Sequence, residues 1–160
     1  MAVGRVHLLY GLAGSGKTTL ARELSNDGHA VRFTLDEWML RVHPGLSFES
    51  VEYRNIAGQV RELIWTIAEQ VLMAGVDVVL DWNSWSLARR GWAIERASAL
   101  GAPVILHRLT ASLEVASARV RDRTDRGTHF AHHVTAEDNE HLASLMEDPS
   151  SEENLEIRDH

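Results

Sequence analysis

The sequence has no cysteine among its 160 residues. Disulfide bonds, thiolate nucleophiles and cysteine-based zinc sites are therefore excluded. No apolar run approaches the roughly 18 residues that a membrane-spanning helix needs, and no signal-peptide pattern opens the chain. Hydrophobic residues make up 44% of the chain and prolines number only three. We therefore predict a soluble, cytoplasmic protein with one domain over residues 1–160.

Lysine is almost absent as well. Lys17 is the only lysine, beside fifteen arginines. It lies in the run Gly11-Leu12-Ala13-Gly14-Ser15-Gly16-Lys17-Thr18, which fits the phosphate-binding loop (P-loop) pattern G-x-x-x-x-G-K-[ST]. A lysine in an otherwise lysine-free chain indicates a site that needs a compact ammonium group, as the β- and γ-phosphates of a nucleotide do.

The surroundings of this motif have the required order. A short apolar run at residues 6–10 predicts a buried strand, and residues 18–24 have the apolar spacing of a helix on a sheet. In this arrangement the loop amides and the helix N-terminus point at one anion. The predicted nucleotide contacts are Gly11, Leu12, Ala13, Gly14, Ser15, Gly16, Lys17, Thr18 and Thr19.

Basic residues are scarce in the C-terminal segment, residues 137–160. Residues 137–160 carry nine acidic residues against Arg158 alone, and the other 136 residues carry 15 basic and 14 acidic residues. The body is thus nearly neutral and has no excess of cations for a duplex nucleic acid, which makes such a partner less favoured. We interpret the acidic C-terminal segment as a solvated, partly flexible end.

Strand and helix patterns alternate along the chain. Strands are predicted at residues 6–10, 30–35, 76–81 and 103–109, with a weak fifth strand at 154–157, and residues 37–47 are predicted to be irregular. Helices are predicted at 18–24, 48–74, from 84 or 86 to 101, 112–123 and 135–145. This alternation predicts a three-layer α/β fold with a parallel sheet of four to five strands, helices on both faces and the active site beyond the strand ends.

Two aspartates follow predicted strands at that edge. Asp36 is placed to accept the proton of an attacking hydroxyl, although an N-cap of a short helix explains it equally well. Asp81 has the position of a carboxylate that holds magnesium with the Thr18 hydroxyl, and a strand-end turn residue is its alternative.

Arginines recur on one face of a predicted helix. Arg119, Arg123 and Arg126 are spaced i, i+4 and i+7, and a loop containing Gly127 follows. We predict a lid over residues 119–134 that brings at least one arginine to the transferred phosphoryl group, with a solvated helix face as the alternative. His129, His132 and His133 lack acidic partners and are not assigned to a metal.

Other side chains near the edge are candidate substrate contacts. They are Trp38, Arg41 and Arg89, beside Asp36 itself. Trp82, Trp85 and Trp92 are interpreted as packing residues.

The chain resembles the small P-loop kinases of the AAA_33 type, which are similar to zeta toxins, chloramphenicol phosphotransferase and polynucleotide kinase domains. The resemblance rests on the P-loop run, on residues 35–37, on residues 79–82 with Arg89 and Arg90, and on Arg119-x-x-x-Arg123. It implies a central strand order 2-3-1-4, ATP and Mg²⁺, Asp36 as the base, and Arg119 or Arg123 as lid arginines. Polynucleotide kinases have an arginine three residues after the catalytic aspartate, where this chain has Met39.

Three functions are open at this point. The leading hypothesis is an ATP-dependent phosphotransferase that acts on a hydroxyl of a small molecule, such as an antibiotic, a sugar or a nucleoside. A kinase of polynucleotide or tRNA ends is the second, and a nucleotide-binding switch protein without an acceptor is the third. The sequence identifies neither the acceptor nor the oligomeric state.

Overall fold

A computed structural model describes residues 2–125 and 134–160. The second part of the predicted lid, residues 126–133, lies outside the described residues, and so do His129, His132 and His133. The strands are β1 Val6–Tyr10, β2 Ala30–Phe33, β3 Asp77–Asn83, β4 Val104–Arg108 and β5 Glu156–Asp159. The helices are α1 Lys17–Asn26, α2 Leu35–Val42, α3 Val51–Met73, α4 Leu87–Leu100, α5 Leu113–Asp125 and α6 Ala136–Leu145.

The five strands form one parallel sheet in the order β2-β3-β1-β4-β5. The predicted order 2-3-1-4 is confirmed, and the weakly signalled last strand adds to the β4 edge. β1 lies in the middle, and all five of its residues are buried. A central parallel strand covered on both faces needs such an uninterrupted apolar sequence, which explains why β1 is easy to recognise.

Helices cover both faces of the sheet. Val6, Leu8 and Tyr10 of β1 face a large core that includes residues of α2, α3 and α4. Leu9 points the other way, toward Ala21 of α1. This alternation follows from the two-residue period of a strand, and it gives the three-layer α/β architecture that the sequence predicts.

The segment after β2 differs from the prediction. Residues 37–47 were expected to be irregular, but α2 continues to Val42. The Thr34 hydroxyl accepts a hydrogen bond from the Glu37 amide and is the N-cap of this helix. The N-cap explanation of Asp36 is therefore wrong, because Asp36 lies inside the first turn, where its side chain is exposed.

The acidic C-terminal segment is bound to the body of the protein, so the expectation of a solvated end is also wrong. Arg90 of α4 is fully buried, and its Nε and Nη2 donate to the two carboxylate oxygens of Glu153 at 2.7 and 3.3 Å. Nη1 donates to the backbone carbonyls of Ser84 and Glu147. Tyr10 Oη donates to Asp148 at 2.8 Å. A buried guanidinium is tolerated only with such partners, so the segment completes the fold around Arg90.

Candidate active site

The P-loop leaves the carboxyl end of the central strand β1 and ends at α1. Gly14 and Gly16 have positive φ angles of 81° and 103°, which glycine adopts without strain. A Cβ atom on Gly14 would collide with the carbonyl oxygen of Ala116 in α5. The turn that the motif predicts is therefore built around glycine for both backbone conformation and space.

The start of α1 differs from the other described helix starts. Thr34, Ser50, Ser86 and Thr135 cap α2, α3, α4 and α6 with side-chain hydrogen bonds. The N-cap of α1 is Gly16, which has no side chain to offer, and Thr18 and Thr19 of its first turn are exposed. The first amides of α1 therefore remain available to a ligand anion.

Lys17 folds back over its own loop. Its Nζ donates to the carbonyl oxygens of Gly11 and Leu12 at 2.8 and 2.6 Å. Burial lowers the pKa of Lys17 to about 8, while the nearby charge of Asp81 acts in the opposite direction. A polyphosphate brought to this amine would favour its charged form, as the function predicted for Lys17 requires.

A buried hydroxyl in the loop lacks a partner. Ser15 Oγ makes no hydrogen bond within the part of the chain that the structure describes. Such orphaned groups are rare in folded proteins and often belong to ligand sites. Together with the uncapped helix start, Ser15 makes the loop a good fit for a nucleotide phosphate.

Two asparagines that the sequence did not single out shape the loop. Asn83, at the end of β3, donates from Nδ2 to the Gly11 carbonyl at 2.9 Å. Asn139 of α6 is fully buried, accepts a hydrogen bond from the Ala13 amide and donates to the Ala13 carbonyl, both at 3.0 Å. No local pattern indicates these contacts, which join residues 72 and 126 positions apart.

The arginine helix reaches the loop as well. Arg119 of α5 donates from Nη1 to the Gly14 carbonyl at 3.3 Å. Arg123 lies one turn further along α5, and its charge contributes to lowering the pKa of Lys17, after burial as the main cause. Both predicted arginines thus lie beside the P-loop, although the segment that follows α5 is outside the described residues.

Asp81 ends up beside a basic residue of the neighbouring strand. Its Oδ2 accepts a hydrogen bond from Nε of Arg32 in β2 at 2.8 Å and lies 2.6 Å from Nη2 of the same ion pair. Nη2 donates to Glu37 at 3.2 Å. Burial raises the pKa of Asp81, and the hydrogen bond from Arg32 opposes that shift. The sequence analysis did not foresee this pair.

The residues at this site fit a magnesium ion that has only one or two protein ligands. The exposed Thr18 hydroxyl is free of protein hydrogen bonds in the described structure, whereas Asp81 is held by Arg32. No group of three or more acidic or histidine side chains that could hold a metal exists among the described residues. Magnesium commonly takes only one or two protein ligands together with phosphate oxygens and water, so Thr18 with Asp81 meets that requirement.

The residues predicted to contact the acceptor fall into two groups. The charge of Asp36 acts on Lys17, on the buried Tyr53 and on Arg89, so these residues share one electrostatic environment. Trp38 instead packs edge-to-face on Phe33 with ring centroids 6.1 Å apart, and Arg41 is exposed in the last turn of α2. The charge of Asp36 thus acts on Lys17 of the P-loop and on Arg89, whereas Trp38 has a packing contact.

Arg89 is joined to the loop through Asn83. Its Nη1 donates to the Asn83 carbonyl at 3.1 Å, and its guanidinium carbon lies 5.4 Å from the centroid of the Trp85 ring. Trp82 and Trp92 lie edge-to-face with centroids 6.3 Å apart, as expected for packing residues. Trp92 also has a guanidinium over its ring, that of Arg96 at 4.4 Å, but the cation on Trp85 is the one joined to the P-loop through Asn83.

No described helix combines the length and the apolar character that crossing a membrane would require.

Comparison with known proteins agrees with this geometry. The family profile described as AAA domain, AAA_33, matches residues 6–149. No curated protein matches the chain significantly.

Solved structures share the fold at low sequence identity. A protein provisionally described as a kinase, from Chloroflexus aurantiacus, has a TM-score of 0.73 and 20% identity over 98% of this chain and 88% of its own. A gluconokinase from Sinorhizobium meliloti has a TM-score of 0.60 and 19% identity over 98% and 82%. Kti12 from Chaetomium thermophilum, solved with ADP-AlF3, has a TM-score of 0.68 and 16% identity over 97% and 88%.

These likenesses establish a kinase-like P-loop fold, and the profile match covers most of the chain. The protein belongs to the AAA_33 family of P-loop proteins.

Proposed function

We propose that this protein, acting as one P-loop kinase domain over residues 1–160, transfers the γ-phosphoryl group of ATP to a hydroxyl group of a small molecule. The observation that carries the proposal is the geometry of the P-loop, where Lys17 Nζ lies over the Gly11 and Leu12 carbonyls and Arg119 donates to the Gly14 carbonyl. The charges of Asp81, Arg123 and Asp36 also act on the pKa of Lys17, after burial as the main cause. A phosphate cradle, a carboxylate and an arginine in one place are the parts that phosphoryl transfer uses.

In this mechanism the loop amides and Lys17 hold the β- and γ-phosphates. Asp36 accepts the proton of the acceptor hydroxyl while the hydroxyl oxygen forms a bond to the γ-phosphorus. The bond between the γ-phosphorus and the bridging oxygen breaks, and ADP leaves with that electron pair. Arg119 and Arg123 balance the negative charge that spreads over the transferred group.

Magnesium, when bound, would neutralise negative charge of the nucleotide phosphates. Thr18 is the residue that would hold it through its hydroxyl, with Asp81 in support. The ion pair to Arg32 fixes the orientation of the Asp81 carboxylate. In this proposal Arg32 therefore acts on the site through Asp81.

A small acceptor is favoured over a polynucleotide end by two observations. Met39 stands where polynucleotide kinases have an arginine, and its side chain is buried with only 1% exposure. It faces the core and offers nothing to a nucleic-acid phosphate. The nearly neutral body of the chain supports the same preference, because nucleic-acid affinity comes largely from many basic contacts.

The test is transfer from ATP and Mg²⁺ to a panel of hydroxylated metabolites and antibiotics, followed by mass spectrometry. We expect Asp36→Asn to lower kcat by about 10²-fold or more, because general bases contribute about 10²–10⁴. ATP affinity should change little. The matched control is Asp27→Asn, which alters an exposed aspartate after the end of α1.

Equal turnover by Asp36→Asn and wild type would remove Asp36 as the base. If transfer occurs only to oligonucleotide ends, with an affinity for the oligonucleotide that falls steeply with salt, the acceptor is a nucleic acid and not a small molecule. Tight ATP binding with no acceptor in either panel would favour the switch protein.

A further inference from the structure

Two arginines near the acceptor side of the site form no ion pair with the residues that the structure describes. Arg5, Arg32, Arg90, Arg96, Arg108 and Arg158 each form an ion pair with a carboxylate. Arg61 and Arg89 form none with any described residue, in a chain whose net charge is −7. Arg22, Arg41 and Arg54 also form none within the described structure, but they are exposed, whereas Arg61 is half-buried. The lack of a carboxylate partner at Arg61 therefore needs a reason.

Arg61 lies on the inward side of α3. The residues one turn before and after it, Ala57, Ile64 and Trp65, are all buried, and Arg61 itself is half-buried. An arginine at such a position would ordinarily need a buried partner, because removing a charge from water is costly.

Arg89 approaches the same place from α4. Its guanidinium is held by the Asn83 carbonyl and the Trp85 ring. Arg61 and Arg89 lie one turn before Trp65 of α3 and Trp92 of α4, whose rings meet edge-to-face with centroids 5.8 Å apart. Partial burial lowers the pKa of Arg89, the charge of Arg61 lowers it further, and Asp36 opposes both. Two like charges held together in this way are unfavourable until an anion lies between them.

Space beside Arg61 is left open by a glycine. Gly58 is inside α3, where alanine would stabilise the helix. A Cβ atom on Gly58 would meet only Arg61 Nη2, at 4.0 Å. Packing within the described protein therefore does not demand glycine here, and its use keeps room next to the guanidinium.

We propose that Arg61 and Arg89 form a subsite for an anionic group of the phosphoryl acceptor, a carboxylate or a phosphate, while the acceptor hydroxyl lies at Asp36. Arginine suits both anions, because its planar fork matches their paired oxygens. The α4 amides do not provide the subsite, since those of Leu87 and Arg89 already donate to Glu147 and Ser86. The inference rests on the proposed kinase function and narrows its substrate class to hydroxylated anions.

The first experiment titrates sodium sulfate and, separately, sodium acetate into protein whose P-loop is filled with Mg²⁺ and AMP-PNP. Ionic strength is held constant with chloride, and binding is followed by calorimetry. One saturable site is expected, at least tenfold weaker in Arg61→Gln and in Arg89→Gln. A preference for sulfate indicates a phosphate group on the acceptor, and a preference for acetate indicates a carboxylate.

Arg22→Gln is the charge-matched control, because Arg22 is exposed on α1 across the sheet. It should bind the probe anions as the wild type does. No saturable site in the wild type, or equal losses in Arg22→Gln and the two subsite variants, overturns the proposal. If AMP-PNP binds and the anions do not, only the subsite proposal is wrong. If AMP-PNP does not bind, the proposed kinase function is wrong as well.

A second pair of variants tests the location without removing a charge. Gly58→Ala and Gly91→Ala both replace a glycine inside a helix, so both should raise the Tm. Only Gly58→Ala should weaken the binding of the probe anions, by about fivefold or more, because its methyl group would occupy the space beside Arg61. Wild-type anion affinity in Gly58→Ala would overturn the proposed location.

Turnover provides the last readout. Glycerate and glycerol 3-phosphate are compared with glycerol, and further acid and neutral pairs are compared in the same way. The charged member should be the better acceptor in wild type, and Arg89→Gln should remove that preference mainly through KM. A wild-type preference for the neutral members would contradict the proposal.

Discussion

Lys17 is held between carbonyl oxygens of its own loop, in a partly dehydrated position. The hydrogen bonds to Gly11 and Leu12 fix the amine where phosphate oxygens would lie. Burial nevertheless disfavours its charge and lowers its pKa to about 8. The loop therefore holds a cation that would gain stability when an anion binds.

This gives a prediction about proton uptake. A bound triphosphate raises the pKa of Lys17 above its value of about 8 in the free protein. Below that pH the amine is charged in both states, so affinity should not depend on it. Above pH 8 the free amine is neutral, and ATP binding should take up a proton and weaken as pH rises.

Calorimetry of ATP binding at pH 7 and near pH 9, in two buffers with different ionisation enthalpies, measures this uptake. Any binding that remains in Lys17→Arg should show none, because arginine keeps its charge at both values. Absence of uptake by the wild type near pH 9 would contradict the lowered pKa.

At the scale of the elements, the P-loop is tied to three parts of the fold. Asn83 from β3, Arg119 from α5 and Asn139 from α6 each bond its backbone. The Asn139 amide forms a closed pair with Ala13, one donor and one acceptor on each side. The conformation of the loop thus depends on a helix far along the chain.

Asn139→Ala should weaken ATP binding by about 10-fold to 100-fold, because a buried backbone donor and acceptor of Ala13 lose their partner at about 1–3 kcal/mol. Asn139→Asp is more informative. An ionised aspartate cannot donate to the Ala13 carbonyl, whereas a protonated one copies the amide. Its ATP affinity should therefore recover as pH falls from 8 to 5, relative to wild type.

Asn26→Asp, at the exposed end of α1, controls for the general effect of a new carboxylate. The same recovery in that variant, or none in Asn139→Asp, would argue against the pairing. Thermal unfolding of each variant separates a loss of affinity from a loss of fold.

Across the whole molecule, a row of histidines crosses the sheet. His7 Nε2 lies 3.2 Å from Asp77, His7 Nδ1 lies 2.9 Å from His107 Nε2, and His107 Nδ1 lies 2.9 Å from His160 Nε2. All three contacts are hydrogen bonds when each imidazole ring is neutral, donates from Nε2 and accepts at Nδ1. Burial lowers the pKa of His107 to about 4, and the nearby histidines and Arg158 add to this shift.

Folding stability should consequently fall in mild acid. Between pH 6.5 and about 4 the unfolded chain binds a proton at His107 that the folded protein does not, so stability is lost as pH decreases. The loss from this residue amounts to about 3 kcal/mol across the window. Burial also lowers the pKa of His7 and adds to the effect.

Urea unfolding at pH 7, 6 and 5 measures the slope. His107→Gln should flatten it, while His141→Gln, at an exposed position of α6, should leave it unchanged. A slope identical in wild type and His107→Gln would show that other groups cause the acid sensitivity.

Much of the fold could be predicted because its signals are local. The apolar run of β1 and the P-loop motif lie within a few residues, and the spacing of α3 repeats over several turns. The pattern Thr34-x-x-Glu37 is typical of a helix start, whereas Pro44 and Gly45 are typical of a turn, so the local signals for residues 37–47 conflict.

The remaining parts of the site depend on contacts between distant residues. Asn83, Asn139 and Arg61 are ordinary residues by local pattern, and their roles arise only when strands and helices are brought together. The partner of Arg90, Glu153, is 63 positions away. A single sequence contains no record of such pairings, so its acidic C-terminal segment predicts a solvated end where the structure has a bound one.

The scarcity of lysine has a practical consequence. Apart from the α-amino group of the chain, the only alkyl amine in this protein is the one beside the phosphate cradle. An activated ester used to attach a dye or to fix the protein on a surface would have that amine as its one side-chain target. Acylation there would remove the positive charge needed to hold a nucleotide, so labels should be attached through other chemistry.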